Sequence, residues 1–435
     1  MIALTLSQER IQSEETILSS GLSARRTFLG LNDSLWRVAL VAGIAQLSAS
    51  IWTWQFAISL DSFLSPWQIG IIFAAGTLAG LVGYTISGAL ADVFGRKKTL
   101  LISFIPQLIG LILLYLTPLW PFMIGAYSLQ YFGWSFILVI SRTIPADEIS
   151  TIGPTETRKI TMVLMPAYAV DAASPVIAVV LLQLGLQVHT LLLVGAMAAL
   201  VAMVLTATFV RDTYDPMATL ERENIFDNPL KELGNPFWKF TLIMFGYYAA
   251  YGMAIPYLGI LSVNEWGVSI DTFGFVSSVF SIVTVLMMYT LSGIAGHSAK
   301  VGLFLSLIGN SIVMMAIGMG SGVWMLVLLN GIWAAPIIIW TAAEGVLTVN
   351  GVPSDMRGTA LGLFSSTTSA TGLFAAPLGA LVWSISGSLR FLWIMSGGLA
   401  IGFAVLAWWA LKRVKIHRAK PKTQLEIPKS CIITV

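Results

Sequence analysis

Residues 88–98 read Gly88-Ala89-Leu90-Ala91-Asp92-Val93-Phe94-Gly95-Arg96-Lys97-Lys98. This short polar bridge joins two apolar runs, near 68–90 and 98–117. Each run can cross a bilayer, which takes roughly 20 apolar residues as a helix. Outward from the bridge the same alternation recurs. Further apolar stretches lie near 36–58, 122–144, 160–184 and 190–210, then 239–262, 272–296, 300–319, 323–349, 358–384 and 391–411. Composition agrees: of 435 residues, 57% are hydrophobic and only 10% charged, where soluble domains carry about 25% charged. Mean hydropathy is +0.84. These values exclude a soluble enzyme, a disordered chain and a disulfide scaffold. The expected fold class is an all-α membrane protein with twelve transmembrane helices in two six-helix bundles.

The polar stretch 211–238 divides the chain. We read 1–34 as a cytoplasmic tail, 35–210 as the first bundle, 211–238 as a central cytoplasmic loop, 239–411 as the second bundle and 412–435 as a basic cytoplasmic tail. Orientation follows from Lys and Arg, which favour cytoplasmic loops. With the N-terminus inside, only Arg390 of the 24 basic residues falls in an external loop. Both termini are therefore expected in the cytoplasm, in a plasma-membrane protein. The first 34 residues hold no apolar core of a cleaved signal peptide. External loops carry Asp61, Glu265 and Asp271, either as ordinary solvated acids or as attractors of cationic solutes. The net charge of +3 comes from tails and loops, so nucleic acid is not an expected partner. The single cysteine, Cys431, excludes an internal disulfide.

A repeat supports two duplicated halves. Pro154-Thr155-Glu156-Thr157-Arg158 precedes the fifth span and Pro353-Ser354-Asp355-Met356-Arg357 the eleventh, 199 positions later. Both read Pro, small hydroxyl, acid, any residue, Arg, and each sits in the matching loop of its half.

The bridge at 88–98 resembles the signature loop of the major facilitator superfamily, with Gly, Leu, Asp and then Gly-Arg-Lys in the loop between spans two and three. That resemblance covers about 36–411. It implies transport by alternating access and a breakable cytoplasmic latch in which Asp92 faces the start of the eleventh span. The chemistry fits such a role. Gly88 permits close helix approach, Gly95 a tight turn, and Arg96 can pair bidentately with an acid such as Asp147 or Glu148. Gating is expected from Asp92, Arg96, Gly88, Gly95, Glu148, Arg158 and Arg357. The second copy, Gly293-Ile294-Ala295-Gly296-His297-Ser298-Ala299-Lys300, has His297 near the place of the acid. Glu148-Ile149 with Pro154 and Arg158 also resembles the loop of sugar and organic-ion porters. The Gly-rich fifth-span stretch of proton-linked drug antiporters is missing: Tyr168-Ala169-Val170-Asp171-Ala172-Ala173-Ser174-Pro175 keeps the proline without the glycines.

In two-bundle transporters the solute site lies near the midplane, between the halves. Polar and aromatic residues at mid-depth there are Gln46, Ser50 and Thr53 in the first span, Tyr127, Gln130 and Trp134 in the fourth, Tyr247 and Tyr251 in the seventh, and Asn330, Trp333 and Thr341 in the tenth. Of these, Gln46, Gln130, Trp134, Tyr247, Tyr251, Asn330 and Trp333 are the substrate-binding candidates. The alternative for each is core packing or an interhelical hydrogen bond. No mid-membrane Lys or Arg awaits an anion, so the expected solute is small and uncharged or amphipathic. Asp171 lies close to the midplane and Glu344 about 13 Å nearer the cytoplasm on a rise of about 1.5 Å per residue. A carboxylate at such depth costs at least about 2.5–3.5 kcal/mol, so both are candidates for proton coupling. For Glu344 the alternative is a structural partner to Arg142 or Arg357.

No catalytic constellation, nucleotide-binding loop or metal-spaced His/Cys cluster is present, so no cofactor, metal or enzymatic activity is expected. The function read from the sequence is secondary transport of a small organic solute, by proton symport first and by proton-driven drug or metabolite efflux second. A non-transporting membrane sensor of the same fold is a third reading, which the intact Asp92 and Arg96 disfavour. The expected unit is a monomer in the lipid bilayer. Cys431 offers a direct check of orientation. An impermeant maleimide should label it only in permeabilised cells; labelling in intact cells contradicts a cytoplasmic C-terminus.

Overall fold

The computed structural model describes residues 31–148, 154–212, 233–295, 299–350 and 357–412. Six helices make the first half: α1 (Asp33–Asp61), α2 (Pro66–Phe94), α3 (Arg96–Leu116), α4 (Trp120–Glu148), α5 (Pro154–Gln183) and α6 (Thr190–Phe209). The second half runs α7 (Gly234–Ala254), α8 (Ile270–Ala295), α9 (Ala299–Met319), α10 (Val323–Asn350), α11 (Arg357–Ser369), α12 (Gly372–Ser386) and α13 (Leu389–Lys412). Together α11 and α12 form one span. Among the described residues, eleven spans are apolar and long enough to cross a membrane. The twelfth, α7, is diluted by Lys239, Tyr247, Tyr248 and Tyr251. The chain is thus a multi-pass, all-α membrane protein with the expected twelve-span plan. We call the membrane face nearest the start of α1 and the end of α13 the terminal side, and the other the far side.

Helix ends follow local chemistry. The Asn32 side chain accepts from the Leu35 amide at 2.8 Å and caps α1, satisfying one of the first-turn N–H groups that lack helical partners. Pro66 opens α2 with no amide to orphan; Gln68 accepts from the Ser65 N–H at 2.9 Å. Gly95 stands between α2 and α3 at φ +92° and ψ 155°, a region essentially closed to other residues. That is the tight turn read from the sequence. Two spans depart from regular helix. After Ala254, α7 continues as a 3₁₀ turn around Pro256, a short α-turn and a π turn over Leu261–Glu265. Between α11 and α12, residues 370 and 371 form a turn. There the Thr368 and Thr371 hydroxyls donate to the carbonyls of Phe364 and Thr368, competing with the helix's own amides.

The two halves pack alike. In the first, α1 lies on α5 and α6, α2 on α4, and α3 on α4 and α6. In the second, α7 lies on α12 and α13, α8 on α10, and α9 on α10 and α13. Counted as spans, these are the same five pairings. Between the halves, α2 packs on α12 and α5 on α8, and the same correspondence exchanges these two contacts. Without a hydrophobic drive between helices in lipid, close backbone approach through small residues carries the packing. Between α3 and α4 that approach is reciprocal. A Cβ on Gly110 would meet the Gln130 amide nitrogen at 2.4 Å, and one on Gly133 the Gln107 amide nitrogen at 2.5 Å.

Gly133→Ala should therefore force α3 and α4 apart and cost about 1–3 kcal/mol, the range for overpacking. Gly125→Ala, on the same helix with nothing within 4 Å of its Cβ position, should be neutral or slightly stabilising. Thermal unfolding of both variants in detergent checks this; equal midpoints would contradict the packing account.

Candidate functional site

Among the described residues, each half holds one carboxylate away from the ends of its spanning helices, with aromatic and polar neighbours. In the first half this is Asp171 on α5. Its Oδ1 accepts from Gln46 Nε2 on α1 at 2.8 Å and from the Ser50 hydroxyl one turn further along. Gln46 also donates to Ser50 Oγ at 2.7 Å, closing a triangle. The spacing of four residues places Gln46 and Ser50 on one face of α1. A cavity of about 100 Å³ opens beside the triangle, lined among others by Gln46, Trp134, Ser141, Tyr168 and Asp171. The structure thus brings together Gln46, Trp134 and Asp171, which the sequence singled out on three different spans.

In the second half the carboxylate is Glu344 on α10. The Tyr248 hydroxyl donates to its two oxygens at 2.9 and 3.2 Å, and Trp340 Nε1 donates to Oε2 at 2.6 Å. Two neutral donors therefore hold it; the side chains of Arg142 and Arg357 lie outside the described residues. Trp340 also packs edge-on against Tyr247 and Tyr251, with centroids 5.1 and 5.5 Å apart. Tyr251 reaches Trp333, 6.4 Å away. Behind this face, Trp333 Nε1 donates to Asn310 Oδ1, Asn310 Nδ2 donates to the Tyr247 hydroxyl at 2.7 Å, and that hydroxyl donates to the Leu307 carbonyl at 3.0 Å. The chain of bonds ties α7, α9 and α10 into one unit.

Other candidates stand elsewhere. Gln130 is buried at the α3–α4 contact against Gly110. Asn330 donates to the Leu326 carbonyl of its own helix at 2.9 Å, and Thr53 likewise bonds back to Ala49. Tyr127 stacks on Phe56 at 5.2 Å within a cluster of rings from α1, α2 and α4. Tyr168, Tyr248 and Trp340 were not picked out as site residues. Trp340 could have been found four residues before Glu344, on the same helical face.

The gating candidates all sit where their helices meet the terminal side. Gly88 and Asp92 lie in the last turns of α2, Glu148 ends α4, Arg158 is in the opening turns of α5, and Arg357 begins α11. The side-chain surroundings of those five, and Asp147, fall outside the described residues. Arg96 is the first residue of α3. Beside it the structure adds an acid that sequence reasoning missed. Asp212, just after α6, lies over the start of α3, with Oδ1 3.5 Å from the Lys97 amide nitrogen. A Cβ on Gly95 would meet Asp212 Oδ2 at 2.5 Å. A carboxylate at a helix N-terminus is favoured by the helix dipole.

On the far side the halves are tied directly. Asn264 Nδ2, after α7, donates to Asp61 Oδ2 at the end of α1 at 2.7 Å. Glu265 holds the start of α13 through the Leu389 amide at 2.6 Å and the Arg390 side chain at 3.4 Å.

Two like halves around a membrane-embedded polar centre define a transporter of the alternating-access type. The chain belongs to the Major Facilitator Superfamily, whose family model matches residues 38–242 and again 240–433. Among curated proteins it is similar to the enterobactin exporter EntS of Citrobacter koseri, 29% identical over 28% of this chain and 29% of that protein. The Salmonella typhi counterpart is 26% identical over 26% and 27%. The matched region thus spans less than a third of these relatives. Among solved structures it resembles nucleoside transporter NupG, with a TM-score of 0.74 and 14% identity over 88% of this chain and 100% of that one. It also resembles a D-xylose-proton symporter, with a TM-score of 0.71 and 14% identity over 89% and 99%. At such identity these likenesses speak for the fold alone.

Proposed function

We propose that this transporter is a proton-coupled symporter of a small, uncharged or amphipathic organic solute in the plasma membrane, with the terminal side cytoplasmic. The observation that carries the reading is the Asp171 triangle. A carboxylate placed between Gln46 and Ser50, beside a small cavity walled by Trp134 and Tyr168, is costly in a membrane and needs a function to keep it. Glu344, held by Tyr248 and Trp340, is the embedded carboxylate of the second half, on a span that corresponds to α4 rather than α5. Protonation would remove the charge to which these donors are directed and so alter the bonds between α1 and α5, or between α7 and α10. The ring faces of Trp134, Tyr251 and Trp340 suit an apolar or ring-bearing solute. Asp92, Arg96, Gly88, Gly95, Glu148, Arg158 and Arg357 are proposed as the terminal-side gate, with Asp212 added at the head of α3. A second reading, proton-driven efflux, is favoured by the partial likeness to enterobactin exporters.

The test uses proteoliposomes holding only this protein and a panel of labelled nucleosides, pentoses and dipeptides under an imposed pH gradient. The wild type should concentrate a member of the panel. Asp171→Asn should abolish that accumulation while downhill exchange survives. A variant that still concentrates solute with normal pH dependence removes Asp171 and leaves Glu344. If Glu344→Gln is also normal, proton coupling through either carboxylate is wrong and the coupling group lies elsewhere in the protein.

A further inference from the structure

A second cavity, separate from the Asp171 site, opens at the far end of the first half. It holds about 700 Å³, within the range of about 300–1,000 Å³ common for small-molecule sites. Its walls come from the last three turns of α1, the far ends of α3, α4 and α6, and Val263, Asn264 and Ile270 from the second half. Most of the lining is apolar and aromatic, including Trp52, Phe56, Phe63 and Tyr115. Tyr115 is backed by His189, with ring centroids 5.5 Å apart. Half-buried Asp61 is the one acid among the lining residues, which include no Lys or Arg.

One buried acceptor here stands without a donor. Gln55, one of the lining residues, is only 2% exposed, and its Oε1 has no hydrogen-bond partner. Its amide nitrogen is already directed to the Val188 carbonyl, at 3.4 Å. The Trp52 N–H is taken by the Ser48 carbonyl at 3.0 Å. A buried acceptor without a donor costs about 1–3 kcal/mol, and a rotation about the Gln55 amide torsion would turn it towards an incoming N–H. Asp61 gives one carboxylate oxygen to Asn264, and its other oxygen can take a second donor.

We infer that this cavity is a binding site for a water-soluble organic amine with an aromatic or aliphatic body, the ammonium on Asp61, a second donor towards Gln55 and the body among the rings. Aromatic faces attract such a cation as well as burying its carbon skeleton. The site is distinct from the membrane-embedded carboxylates Asp171 and Glu344 and does not depend on their coupling role.

The full-length protein in phosphatidylcholine nanodiscs is titrated calorimetrically with 2-phenylethylamine, its neutral analogue 2-phenylethanol and the anion 3-phenylpropionate. The amine should bind more tightly than either analogue. Asp61→Asn should weaken it about 10-fold, as loss of a charge-assisted bond implies, and Gln55→Leu by a smaller factor, each variant keeping the wild-type melting temperature within a few degrees. Equal binding of amine and alcohol, or undiminished binding by Asp61→Asn, overturns the proposal. Repeating the titration with half the lipid as phosphatidylethanolamine separates the two sources of an ammonium group. An unchanged affinity supports a soluble amine, whereas a tenfold loss assigns the cavity to lipid headgroups and overturns it as stated.

Discussion

Inside a bilayer every polar group has to find its partner within the protein, and a carboxylate most of all. Asp171 and Glu344 meet that demand in the same way, each within its own half. Asp171 takes donors from α1, and Glu344 takes them from α7 and its own helix. Among the described residues, the bonds that hold each carboxylate come from its own half. The two halves can therefore change their mutual angle without unsatisfying either group, which is what a transporter of this family requires.

The packing divides along the same line. Within a half, helices approach backbone to backbone, as at Gly110 with Gly133, or at Gly379, whose Cβ would meet the Met253 carbonyl at 2.0 Å. Such contacts admit no sliding. Between halves the tight approaches lie towards the far side. Gly70 of α2 faces Pro377 and Ala380 of α12, and Gly274 of α8 faces Val179 of α5 and Trp54 of α1. With the Asp61–Asn264 bond, these contacts close the far side. The breaks in α7 at Pro256 and in the α11–α12 span at residues 370–371 occur in spans that pair with each other. Both are places where a helix can bend without losing a regular ladder of hydrogen bonds.

Much of the fold was legible because the bilayer simplifies it. Length and hydropathy fix the spans, and the family motif fixes their connection. Only α7 was weak by that measure, since it carries Lys239 and three tyrosines that serve the second-half site. The two out-of-place carboxylates were also visible, and so was the face of α1 that meets Asp171. Their partners were harder to read. Tyr248 and Trp340 look like ordinary aromatic residues until the crossing of α7 and α10 is known, and Asn330 looks like a site residue until its bond to Leu326 is seen. Asp212 lies in a polar loop, and only the close approach of that loop to Gly95 reveals its place. Sequence spacing reports which residues share one helix face, but contacts between helices follow from packing angles that it does not contain.

The central claim is that the halves rock as rigid units about the membrane centre, and a wedge tests it without knowledge of the solute. Gly70→Leu would drive a side chain into Pro377 and Ala380, whose nearest atoms stand 3.0–3.1 Å from the Cβ position. Spin-label distances can then be compared between a far-side pair at Ser62 and Ser269 and a terminal-side pair at Val93 and Gly362, both in a Cys431→Ser background. The account predicts that the wedge lengthens the far-side distance and shortens the terminal-side one together. A far-side pair that opens while the terminal-side pair stays fixed would contradict it.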